Sequence, residues 1–107
     1  MRCVLTFDGY NHRRYSRPWI AKVTSWPIGK SPTLDFGGLN GLEAEIEATP
    51  GDILRWGQRD NRGNNSLSEW GIAQADGGIA GVTPEIARVH WLATHGPEIR
   101  TALISED

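Results

Sequence analysis

Residues 43–48 read Glu-Ala-Glu-Ile-Glu-Ala, charged and apolar in strict alternation. A strand sends successive side chains to opposite faces. The segment therefore predicts a strand over 43–49, with Glu43, Glu45 and Glu47 in water and Ala44, Ile46 and Ala48 in a core. Glutamate and alanine favour helices intrinsically. In a helix, however, these residues would scatter round the axis, and Thr49-Pro50-Gly51 halts the segment early. The chain also carries 13 glycines, 6 prolines and 5 tryptophans in 107 residues. Short segments, frequent turns and large aromatic rings point to a β-rich domain rather than a helix bundle.

The same logic runs along the rest of the chain. Residues 3–7 predict a first strand, closed by the Asp8-Gly9 turn signal. Residues 19–26 predict a second, with Trp19, Ala21, Val23 and Ser25 on one side and Ile20, Lys22, Thr24 and Trp26 on the other. Pro18 suits a strand start or an edge. Residues 33–36 make a short third strand, ended by Gly37-Gly38. Pro50-Gly51-Asp52 is a turn in which the glycine is free to take positive φ. Residues 53–58 follow as a strand, Leu54 and Trp56 opposite Ile53 and Arg55. Residues 59–66 hold no apolar residue and predict an exposed hairpin loop. Residues 68–75 return as a strand with Trp70 and Ile72 on one face, and Asp76-Gly77-Gly78 turns into a brief strand over 79–82. One helix is signalled over 84–95. Thr83 caps it, Pro84 fits the first position and Glu85 suits the positive end of the dipole. Ile86, Val89 and Ala93 recur at helical spacing with Trp91 and Leu92 beside them, and Gly96-Pro97 is the stop signal.

These elements predict one mainly β (α+β) domain over residues 1–97. Its form is a small, strongly bent antiparallel sheet or an SH3-like or OB-like barrel of five to six strands, with one C-terminal helix packed at an end. Residues 98–107 are expected to form an edge strand or a tail. A domain of this length buries a core without metal or disulfide staples, and the lone Cys3 excludes an internal bridge. Cys3 lies in an alternating apolar stretch and reads as a packed small residue rather than a reactive thiol. No apolar run is long enough to cross a bilayer, and the amino terminus lacks the pattern of a secretion signal. The expected location is the cytoplasm, with no membrane partner.

Charge is segregated on a chain whose formal net charge is −2. A first basic island with its flank comprises Tyr10, His12, Arg13, Arg14, Tyr15, Arg17, Trp19 and Lys22. A second comprises Arg55, Trp56, Gln58, Arg59, Asn61, Arg62, Asn64 and Asn65. An acidic stretch, Asp35 to Asp52, separates them, and the chain beyond residue 62 is acidic again. Phosphate neutralisation needs fixed cations, arginine adds bidentate geometry, and unpaired bases stack on aromatic faces. The islands are therefore the candidate nucleic-acid- or partner-binding surface. The bland alternative is a solvated loop whose arginines pair with the acidic row while Trp19 belongs to the core. The Glu43, Glu45, Glu47 row reads as a solvated sheet face more readily than as a mimic of nucleic-acid phosphates.

Catalytic signals are sparse. There is no nucleophile elbow, no Walker-type phosphate loop and no paired CxxC. His90 and His95 are five residues apart, about 140° round a helix, and do not share a metal. Asp8 with His12 is the one acid–base or metal pairing worth weighing, as a small metal-dependent hydrolase or nuclease. Neither cofactor, metal nor catalytic residue is expected.

The stretches LTFDGYNHRRYSRPWIAKVTSWP and PGDILRWGQRDNRGNNSLSEWGIAQADGGI resemble small uncharacterised proteins carried on plasmids, prophages and other mobile elements of proteobacteria. The resemblance spans most of residues 4–95 and carries no catalytic residues with it. In size and compactness the chain is also similar to phage-encoded inhibitors of bacterial defence, including anti-CRISPR proteins. This similarity implies a non-enzymatic function, the occupation of a host protein or nucleoprotein complex. Direct binding of DNA or RNA by the basic, aromatic loops is the alternative.

Overall fold

In the computed structural model, residues 1–7, 17–26, 32–38, 42–59 and 65–106 are described, with backbone only for Arg17, Arg59, Asn65, Ser66 and 96–106. They form seven strands and one helix: β1 (Arg2–Thr6), β2 (Arg17–Ser25), β3 (Thr33–Phe36), β4 (Glu43–Glu47), β5 (Ile53–Arg59), β6 (Asn65–Ala73), β7 (Ile79–Val82) and α1 (Pro84–Glu106). All pairings are antiparallel. One sheet has five strands in the order β3-β2-β5-β6-β7, and β1 and β4 make a second of two strands. The fold is thus mainly β with a C-terminal helix, as the alternation predicts. The sheets do not close into a barrel, because β1 pairs with β4 instead of completing a ring with the larger sheet.

Each face of the five-stranded sheet has its own core. On one, Ile20, Leu54 and Ala73 pack with Cys3, Ala44, Ile46 and Ala48 of the β1–β4 layer. On the other, Val23 and Ile53 pack with Ala87 and Trp91 of α1, flanked by Trp26, Leu34, Trp70 and Val82. Burial on both faces explains why the consecutive residues Ile53 and Leu54 are both inaccessible, at 1% and 0%. Trp26 joins the Val23 side, against simple alternation. The β2–β3 register shifts between Val23 and Ser25, and an irregularity of that kind re-aims the residues beyond it. The chain crosses between layers at Gly37-Gly38. Gly37 N–H donates to the Ile20 carbonyl of β2 at 2.8 Å, and Gly38 N–H donates to the Glu45 carbonyl of β4.

The helix departs from its sequence pattern twice. It presents Ala87 and Trp91 to the sheet, while Ile86, Val89 and Leu92 are exposed at 53%, 66% and 39%. The aromatic ring has the largest apolar area to hide, and small Ala87 one turn earlier permits close approach. It also runs through Gly96 and Pro97 to Glu106, so residues 98–106 continue the helix and do not form an edge strand. Proline in a helix interior removes one hydrogen bond and bends the helix without always ending it, and residues 98–104 are mostly good helix formers. Among the described residues no helix is long and apolar enough to cross a membrane.

The helix start agrees with its capping signal. Ile86 N–H donates to Thr83 Oγ1 at 3.2 Å, and Ala87 N–H donates to the Thr83 carbonyl at 3.0 Å. Thr83→Ala should lower stability by about 1 kcal/mol in thermal or urea unfolding, and Thr83→Ser should restore it. An alanine variant as stable as the parent would show that this cap contributes nothing.

Candidate functional site

The register of β2 against β5 brings Arg17 and Arg59, one residue from each basic island, together at one end of the large sheet. Arg17 lies directly opposite Arg59, Pro18 opposite Gln58 and Trp19 opposite Gly57. By strand alternation the backbone positions of Arg17, Trp19, Arg55 and Arg59 belong to one face. That is the helix-side face, beyond the Val23–Ile53–Trp91 cluster. Residues 10–16 enter the chain just before Arg17, and residues 60–64 leave it just after Arg59. Tyr10, His12, Arg13, Arg14, Tyr15, Arg62 and Asn64 lie outside the described residues, as do Asp8 and Asn61.

Local sequence explains how this end is held. Ile20 offers its carbonyl to Gly37 on the β3 side. Pro18, two residues earlier, therefore turns its donor-less nitrogen the same way. There β3 has already ended, since its pairing stops at Ala21, so no ladder bond is lost. Trp19 is half-buried, and its ring lies 5.2 Å from that of Phe36, tilted by 59°. Phe36 is 42% exposed at the end of edge strand β3. The island-based reading missed Phe36. It sits in the acidic stretch, and its place beside Ala21 follows from long-range pairing that no local pattern carries.

The other predicted site residues are placed differently. Arg55 is committed to the fold. Its Nη2 donates to the Leu67 carbonyl, and its guanidinium lies over the Trp70 ring at 4.3 Å from the centroid. Burial pushes its pKa below the ordinary arginine value. Lys22 belongs to the opposite face, where its Nζ donates to the Glu47 carbonyl at 3.4 Å. It does not share a surface with Trp19. On that opposite face a cleft of about 490 Å³ is lined by Phe7, Trp56, Gly57, Gln58, Ser68 and Glu69.

Glu45 and Glu47 of the acidic row have partners at the start of the chain. Arg2 Nη2 lies 2.6 Å from Glu45 Oε2, and the amino terminus lies 3.2 Å from Glu47 Oε2. Cys3 is fully buried, and desolvation raises its thiol pKa, as suits a packed residue. His90 Nε2 donates to the Gly51 carbonyl at 2.9 Å, tying the β4–β5 turn to α1. His95 stacks on Trp91 with centroids 4.0 Å apart. Both rings line a cleft of about 270 Å³ with Asp52, whose Oδ2 accepts from Thr49 N–H at 2.8 Å. Among the described residues no group of three or more His, Cys, Asp or Glu is placed to hold a metal.

The geometry thus sets the backbone of Arg17 against that of Arg59 at one sheet end and commits the described histidines to packing and turns. No protein-family model matches the chain, and neither a curated protein nor a solved structure is significantly similar to it.

Proposed function

We propose that this chain is a non-enzymatic binding protein that engages a nucleoprotein complex of its host cell, gripping phosphates with the arginine-bearing end of its five-stranded sheet. The observation that carries this reading is the pairing of Arg17 with Arg59. Like charges directly opposite across a ladder are destabilising. A bound phosphate would relieve such repulsion and take charge-assisted hydrogen bonds from both sides. In the sequence, Arg13 and Arg14 come shortly before Arg17, and Arg62 comes shortly after Arg59. Direct capture of free nucleic acid is the second reading, favoured by the same pair.

Two measurements test this. Tagged protein should recover a nucleoprotein complex from bacterial lysate, and Arg17→Gln/Arg59→Gln should not. Equal recovery by both rejects the arginine end as the contact. On free single-stranded probes, removing one arginine–phosphate pair makes the slope of log affinity against log salt shallower by about 0.7. Both arginines hold one phosphate, so the double variant should flatten the slope by about 0.7. Capture from lysate without any binding to free probes assigns the protein component of the complex as an obligatory part of the surface.

A further inference from the structure

We propose that the cleft lined by β5 and β6, on the side of the sheet that carries the β1–β4 layer, binds a primary alkylammonium head, with the Trp56 ring as its wall and the Glu69 carboxylate as its counter-charge. The site is separate from the arginine end and does not depend on it.

The ladder builds this cleft. Trp56 pairs with Glu69 and Gln58 with Ser66, so Leu67 and Ser68 of β6 together oppose Gly57 alone. Such a bulge re-aims side chains and recurs beside binding sites. Here it brings Ser68 to the cleft next to Glu69. Trp56 reaches across β6: a Cβ on Gly71 would lie 2.6 Å from its Cζ3 and 2.8 Å from its Cη2. The glycine thus leaves the room that this ring edge takes. Trp56 still lines the cleft, and Glu69 stands directly across the ladder from it.

The lining selects for a cation. An ammonium head has three donors and no acceptor. Gln58, Ser68 and Glu69 are exposed and offer an amide oxygen, a hydroxyl and a carboxylate. The face of an indole attracts cations as well. Among the described residues Glu69 makes neither a hydrogen bond nor an ion pair, so a bound ammonium would be its counter-ion. The cleft's lining holds no lysine, arginine or histidine, so an anion there meets only the repulsion of Glu69. Its volume of about 490 Å³ falls within the roughly 300–1,000 Å³ usual for small-ligand sites. Lysine side chains and free diamines both end in the required group.

The test titrates isotope-labelled protein with hexylammonium, hexanol and hexanoate, reading the Trp56 indole N–H and the Glu69 amide by NMR. Hexylammonium should shift both signals to saturation, hexanol should bind at least tenfold more weakly, and hexanoate should not bind. Glu69→Gln should weaken hexylammonium binding about tenfold, the scale of one hydrogen bond to a charged group. Glu69 is exposed, so unchanged melting of this variant separates a binding defect from a folding defect. Trp56→Leu should weaken binding roughly threefold, and Trp56→Phe should retain more of it than Trp56→Leu. Acetyl-lysine methylamide binding more tightly than diaminopentane assigns a protein's lysine as the natural ligand; the reverse order assigns a free diamine. Hexanol binding as tightly as hexylammonium, a parent that binds no probe, or a Glu69→Gln variant that binds like the parent overturns the site; the lysate capture judges the arginine end separately.

Discussion

Leu54→Ala is expected to destabilise the domain by about 4 kcal/mol, seen as an earlier midpoint in urea at unchanged slope. Leu54 is wholly inaccessible and touches the cluster built from both sheets. Truncation removes buried methyl groups and leaves a hole between layers, since flanking Ile20 and Ala73 belong to strands that the ladder holds in place. A domain of about 100 residues has a net stability of only about 5–15 kcal/mol, so the loss is a large fraction of the total. Val4, exposed at 40% on the outer face of β1, is the matched control; Val4→Ala should change stability by no more than about 0.5 kcal/mol. Similar effects at both positions would mean that the β1–β4 layer does not pack on the large sheet.

Gly37→Ala should cost about 3 kcal/mol. A Cβ at Gly37 would fall against the Glu45 carbonyl oxygen and within 2.7 Å of Ile46 Cβ. Neither atom can swing away as a flexible side-chain end can; one is backbone and the other is attached to it. Relief requires β4 to move off the large sheet, which strains the Gly38–Glu45 hydrogen bond and uncovers Ile46. Backbone conformation is not the cause, because among the described residues only Gly51 and Gly77 have positive φ, 96° and 88°. Gly81 is the control, with nothing within 4 Å of an added Cβ. Gly81→Ala should be neutral or stabilising by up to about 1 kcal/mol. Equal melting temperatures for the two variants would show that the layers do not meet at Gly37.

Features that depend on near neighbours were legible before any fold was known. Alternation located β4 and its wet and dry faces: Ala44, Ile46 and Ala48 are buried at 1%, 7% and 4%. Turn chemistry located Gly51 at positive φ and the tight turn at Asp76-Gly77-Gly78, where Asp76 Oδ1 accepts from Gly78 N–H at 2.8 Å. The Thr83 cap was equally readable. Within the candidate site, the identity of the cations and Trp19 came from local composition alone.

What escaped is what depends on distant partners. Apolar spacing along α1 pointed to Ile86 and Val89, yet the sheet's opening among Val23, Ile53 and Trp70 suits the ring of Trp91. The pairing of β1 with β4, and hence two layers instead of a barrel, is chosen by competition among many strands for one another's edges. The meeting of Arg17 with Arg59 and of Trp19 with Phe36 has the same origin. Side-chain parity and turn geometry are written into a few consecutive residues, so the chain specifies its strands and bends without help. Which strands become neighbours, and which side chains thereby share a surface, is decided by the free energy of the whole packed molecule.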